Sequence, residues 1–276
     1  MAFGQAISTV GSVLTASSQT ARTLSINPTT IGNLFLVHVA VESITTTTMP
    51  TAVAGGHCVG MSGSGNFTSL ITLRGPGSGG NLQLSLWAGV ATATGALNIT
   101  ATTTANTTTW VDITALQLTC TSVGASTVWV TDTSPAALAN TTASLDITWP
   151  TFTPLNANSG YFGFTWQNGG SPGTTGQTAG YTVTLDANGN AIFYNAAVSG
   201  TQSPISKTDG TARQTSTLAT LFTAVNPAHV GSFMPFFGMG HHEDELERRS
   251  SGLYVQRRKL AGVRPNGGKD RVLARV

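Results

Sequence analysis

The sharpest hydrophobic pattern in the chain is Asn33–Glu42, NLFLVHVAVE. Leu34, Leu36, His38 and Ala40 fall on one face of an extended strand, and Phe35, Val37, Val39 and Val41 on the other. Both faces are mostly apolar, which predicts a central strand covered on both sides. Further strands are expected at Phe67–Leu73, Leu82–Val90, Leu97–Thr104, Thr109–Thr119, Thr127–Thr131, Leu145–Trp149, Tyr161–Trp166, Tyr181–Leu185 and Ala191–Ala196. Turn residues punctuate them. Residues 1–26 add one or two strands, interrupted by Asn27-Pro28. Thr45–Pro50 reads as a loop and Gly55–Ser64 as weakly stranded. The run Gly75–Gly80 is a long hairpin loop, and Asn188-Gly189 supplies the positive φ of a tight turn. Gln214–Phe222 fits either a strand or a short helix.

Roughly ten to twelve short strands with no helix before residue 240 predict an all-β chain, a jelly-roll-like antiparallel β-sandwich. Without crossover helices a parallel α/β fold is excluded. No internal repeat is strict enough for a solenoid or propeller.

Charge changes the picture at the C-terminal end. Residues 1–240 hold four Lys/Arg against six Asp/Glu, a net of −2, while residues 241–276 hold nine against five, a net of +4. Just before the switch lies Phe233-Met234-Pro235-Phe236-Phe237-Gly238-Met239-Gly240. The expected organisation is therefore a β-sandwich body over 1–232 and an apolar joint with a charged docking arm over 233–276. Within the arm, residues 242–249 (HEDELERR) place acids early and Arg248 and Arg249 late. That order complements a helix dipole and predicts an extended, partly helical arm. Leu253–Leu260 alternates in part and could join a sheet edge. The expected docking residues are Phe233, Phe236, Phe237, Leu246, Arg248, Arg249, Tyr254, Arg257 and Arg258.

Charged residues make up 9% of the chain, against about 25% in an ordinary soluble domain. Thr, Ser, Asn and Gly must therefore keep the body in solution, as in extracellular and virion β proteins. The acidic body argues against nucleic-acid binding there. Cys58 and Cys120 could form one bridge, though two buried free thiols is the plainer reading. No basic residue precedes Arg22, so no secretory signal is expected. No apolar run reaches the length of a membrane span. That combination suggests synthesis in the host cytoplasm and release by lysis.

Catalytic chemistry is sparse. A glycosidase needs two carboxyl groups about 5–10 Å apart, and the body holds only Glu42 and five aspartates. His57-Cys58 are adjacent and turn to opposite faces of a strand. Asp186–Asn190 resembles the start of a calcium loop, but Ala197 stands where the twelfth-position acid belongs. No metal site, no cofactor and no enzymatic activity are expected. Aromatics offer the better lead: Tyr161 and Trp166 beside Gln167 and Asn168 could stack on and hydrogen-bond a glycan, while core packing is the plainer reading.

Three stretches carry a resemblance: GNLFLVHVAV at Gly32–Val41; LQLSLWAGVATATG at Leu82–Gly95 with WVDITALQLT at Trp110–Thr119; and GYFGFTW at Gly160–Trp166. Their order resembles β-sandwich virion proteins of tailed bacteriophages, especially actinobacterial ones, of the minor tail or head-decoration type. The resemblance covers residues 20–225. It implies a structural role in the virion, with other virion proteins and further copies of the chain as partners and a host cell-wall glycan as a possible ligand. A capsid decoration protein and a carbohydrate-binding module are the alternatives.

Overall fold

The computed structural model describes residues 3–16, 20–28, 30–43, 50–61, 63, 65–75, 82–103, 108–120, 123–157, 159–169, 172–185, 190–225, 246–248 and 254–256. The chain divides into two units, Met1–Ser232 and Phe233–Val276.

The first unit is all-β. Its strands are β1 (Phe3–Ala16), β2 (Ala21–Ile26), β3 (Leu34–Ser43), β4 (Pro50–Gly55), β5 (Cys58–Gly60), β6 (Thr68–Gly75), β7 (Leu82–Ala91), β8 (Leu97–Thr103) and β9 (Thr108–Cys120). They continue as β10 (Val128–Thr131), β11 (Ala136–Ser144), β12 (Asp146–Thr148), β13 (Ser159–Gln167), β14 (Thr182–Leu185), β15 (Ala191–Val198), β16 (Ile205–Lys207) and β17 (Arg213–Val225). Every described pairing is antiparallel.

Two six-stranded sheets form the middle. The first has the order β1-β9-β3-β7, with β5 and β6 sharing the far edge of β7. The second has β14-β15-β13-β17, with β10 and β11 sharing the far edge of β17. The chain walks through both by one route. It lays down an edge (β1; β10 and β11), then the centre (β3; β13), then the opposite edge (β5 and β6; β14). It next inserts that edge's neighbour (β7; β15) and finally the strand beside the first edge (β9; β17). The smaller sheets repeat the correspondence. β2, after the first edge, pairs with β8, before the last strand; β12 pairs in the same way with β16. β4 adds to the other side of β8. Residues 172–178 run along β16 in its place, through the Pro172–Thr208 bridge and the bonds Gly173 N–H to Lys207 O and Thr178 N–H to Ile205 O. Residues 3–120 and 128–225 thus share one strand topology, although no repeat is visible in their sequences.

The layers explain the doubly apolar strands. Leu34, Leu36 and Ala40 of β3, Leu82, Leu84 and Leu86 of β7 and Leu116 and Leu118 of β9 meet Phe162, Phe164, Ile192, Leu218 and Phe222 of the second sheet in one core. On the other side of the first sheet, Phe35, Val37, Val39 and Val41 pack under Leu24, Ile26, Val53, Ile99 and Ala101 of β2, β4 and β8. On the other side of the second, Tyr161, Phe193 and Leu221 pack against Ile147, Trp149 and Phe152. Four β layers with three apolar interlayers result, where two layers were expected. The central strands β3 and β13 meet where His38 stacks on Phe164, centroids 5.2 Å apart. The joint between the halves is tight: the Trp129 indole donates to the Gly32 carbonyl at 2.6 Å.

Residues 50–55 and 136–144, expected as loop or left unassigned, are strands β4 and β11. Gln214–Phe222 lies within strand β17, not a helix, because it pairs on both sides. Cys58 and Cys120 are buried free thiols, and they belong to different interlayers. Burial pushes the Cys58 thiol up to about 12.

In the second unit, Leu246–Arg248 (β18) pairs antiparallel with Tyr254–Gln256 (β19). This corrects the expected helix across Leu246–Arg248; the rest of that helix lies outside the described residues. Eight residues are too few to hold a helix on propensity and end charges alone, and the partly alternating 254–256 segment supplies a strand partner.

Candidate functional site

The four residues expected to bind a glycan do not form one surface. Tyr161 is 0% exposed. Its hydroxyl donates to the Pro150 carbonyl at 2.8 Å, and Phe152, Tyr181 and Phe193 meet its ring edge-on. Burial, and then neighbouring Tyr181, hold that hydroxyl far above the usual tyrosine range. Tyr161 is a core residue and presents no face to a ligand. Strand alternation turns Trp166 and Gln167 to opposite sides of the second sheet. Trp166 packs, half-buried, against the core shared by the halves, whereas Gln167 is enclosed at 3% exposure. Asn168 is half-buried beside β17, its backbone N–H donating to Gln214 O at 3.1 Å and its amide to Gln214 Oε1 at 3.4 Å. Both faces of β13 are covered, as core packing requires.

Of the expected docking residues, Leu246 lies opposite Gln256, and Arg248 opposite Tyr254, in the β18–β19 pair. Phe233, Phe236, Phe237, Arg249, Arg257 and Arg258 lie outside the described residues.

Several aspartates of the body are tied into its architecture. Asp132 accepts from the backbone N–H groups of Leu155 at 2.7 Å and Asn156 at 3.1 Å. Asp146 is ion-paired with Lys207 across β12 and β16. Asp209 pairs with Arg213 at 3.3 Å. Asp112, 0% exposed on β9, accepts from the Asn190 amide at 2.6 Å. Glu42 lies on the same face one register step away, since Ala40 is opposite Asp112 and Glu42 opposite Trp110. With His38 and Thr114 these groups make a buried polar seam on the sheet face that packs against the second half. Burial lowers His38 to about 3, so its imidazole is neutral. The sequence could not place His38 and Asp112 on one face together, because that depends on the register of β3 with β9.

Among the described residues, no group of three or more His, Cys, Asp or Glu is placed to hold a metal ion. No described helix is long and apolar enough to cross a membrane. What the seam can do chemically is fix how the two large sheets stack, through Asn190 on Asp112 and His38 on Phe164; the Asp146–Lys207 pair ties β12 to β16 within one sheet. The interior of the second half offers something different. Along the inward face of β13 it passes from Tyr161 and Gly163 to Thr165 and Gln167, from aromatic to polar. Thr165 donates to Ser216 O at 3.0 Å. Searches with the sequence find no matching protein-family model and no similar curated protein.

Proposed function

We propose that the chain is a non-enzymatic structural protein of a bacteriophage virion, a minor tail protein. Its body is displayed, and residues 233–276 fasten it to neighbouring subunits. The body reads as two jelly-roll-like sandwiches in tandem: in each half the last long strand returns beside the first, and the strands between are divided between a large and a small sheet. The observation that carries the proposal is the contrast between the two units. Four of the body's aspartates, Asp112, Asp132, Asp146 and Asp209, make internal bonds, whereas most of the chain's Lys and Arg, and a short strand pair, fall in the second unit. A two-stranded pair is marginal by itself and is suited to completion by another subunit's sheet edge. The phage resemblance of residues 20–225 supplies the setting, with synthesis in the host cytoplasm before assembly. Other virion proteins and further copies of the chain are the partners.

Deletion of residues 241–276 tests this. The truncated body is expected to fold, by an unchanged melting profile, yet to be lost from purified virions. Incorporation at normal copy number would sink the docking role. Immunogold labelling on heads instead of tails would replace the tail assignment with capsid decoration.

A further inference from the structure

At its end β13 runs into a turn, Asn168-Gly169, beside Arg213 and Gln214 of β17. The chain has three Asn-Gly steps, at Asn168, Asn188 and Asn266, and the first is the one among the described residues. Asn168 is held at its own N–H, which donates to Gln214 O at 3.1 Å. Beyond that atom the restraints are few. Its side-chain amide reaches Gln214 Oε1 at 3.4 Å, long for a hydrogen bond. Among the described residues nothing accepts from the Gly169 N–H. Gly169 is exposed, with φ +80°, and having no side chain it lets its nitrogen come close to the amide carbon before it. Arg213 brings a charge to the same place. Its Nη1 lies 3.5 Å from Asn168 O and donates to Gly169 O.

We propose that Asn168 is a site of spontaneous deamidation. The Gly169 nitrogen gives up its proton and attacks Asn168 Cγ, forming a carbon–nitrogen bond. The bond from Cγ to the side-chain nitrogen breaks, and that nitrogen leaves with the proton as ammonia. The succinimide ring then takes up one water. It opens to aspartate, or to isoaspartate when the main chain stays routed through the side chain. Water reaches the ring through the exposed Gly169. Arg213 favours the first step. The anion formed at the Gly169 nitrogen spreads its charge onto Asn168 O, and an opposite charge nearby stabilises a charged form. Asp209, 3.3 Å from the same guanidinium, works the other way. The modification is independent of the virion role, and either can fail alone.

The test ages the full chain at neutral pH and 37 °C in water enriched in oxygen-18, beside a synthetic peptide of residues 164–173. Chymotryptic cleavage after Trp166 and Tyr181 releases the segment for mass spectrometry. Asn168 is expected to take up one oxygen-18 atom no more than tenfold slower than the peptide does. Part of the product is expected to be isoaspartate, which direct hydrolysis of the side chain cannot give. Arg213→Gln is expected to slow the folded chain threefold or more, and Asp209→Asn, at an exposed position, to speed it twofold or more. If Arg213→Gln loses the wild-type melting profile, Asp209→Asn carries the comparison. A folded chain more than tenfold slower than the peptide overturns the proposal. So does a product that is aspartate alone, or a rate that the folded variants leave unmoved.

Discussion

Gly163 sits in the middle of β13, and its missing side chain makes room for Trp149. A Cβ built there would lie 2.6 Å from Trp149 Cζ3 and 2.7 Å from Cε3, with Leu218 O at 3.4 Å. Ordinary carbon contacts are about 3.5–4.0 Å, so the indole must retreat by roughly 1 Å. It has little freedom to do so. Its ring is stacked on Phe193 at 4.5 Å and 9°, its Nε1–H donates to Ser206 Oγ at 2.9 Å, and it is fully buried. Overpacking of this kind costs about 1–3 kcal/mol. Replacing a strand glycine by alanine returns about 0.5–1 kcal/mol. Gly163→Ala is therefore expected to destabilise by about 1–2 kcal/mol, a fall in Tm of roughly 2–8 °C for a body of this size. Differential scanning calorimetry reads it directly. Gly65→Ala, where a Cβ meets nothing within 4 Å, is the control and should leave Tm unchanged or slightly raised. In a Trp149→Phe background the clashing ring carbons are gone, so Gly163→Ala should cost about 1 kcal/mol less there. An unchanged Tm for Gly163→Ala, or an equal cost in both backgrounds, would refute the packing argument.

Gly32 stands at the joint between the halves with φ +90°, and a Cβ there would lie 2.0 Å from the Gly124 carbonyl oxygen. Gly32→Ala is expected to cost about 3 kcal/mol or more, from backbone strain together with a clash against main chain, and to show as a large drop in the denaturation midpoint. His38 gives a pH signature. Its folded pKa, about 3, lies below the ordinary 6.5 because burial disfavours the charged ring. Its contribution is therefore fully present above pH 6.5 and is lost as pH falls from 6.5 towards 3. Phe164, Thr114 and Leu86 face the ring or lie in register with it, and Asp112 and Glu42 share its sheet face. At pH 4.5 the chain should lose about 3 kcal/mol relative to pH 7 that a His38→Leu variant retains. Parallel pH dependences for the two proteins in urea unfolding would contradict this.

The strands that carry large apolar side chains were legible from residue pattern. β3 announced itself as doubly apolar, and the Asn188-Gly189 signal correctly joined β14 to β15, although residues 186–189 are not described. β11, AALANTTAS, was invisible because small and hydroxyl residues give no alternation, and its one large residue, Leu138, is exposed. The duplication was hidden for a different reason. LFLVHVAVES and SGYFGFTWQ occupy the same place in two identical topologies without sharing a motif. Exposure at the candidate site was illegible too. The pattern left Tyr161, Trp166 and Gln167 open between core and ligand face; the fold buries Tyr161, encloses Gln167 and leaves Trp166 half-buried against the shared core.

Crosslinking mass spectrometry on purified virions tests the central claim most directly. Lys259 and Lys269 lie in the proposed docking unit and Lys207 in the body. The account predicts links from Lys259 or Lys269 to a different virion protein or to a second copy of the chain, and few from Lys207. Absence of the protein from virions, or links that arise from Lys207 alone, would contradict it.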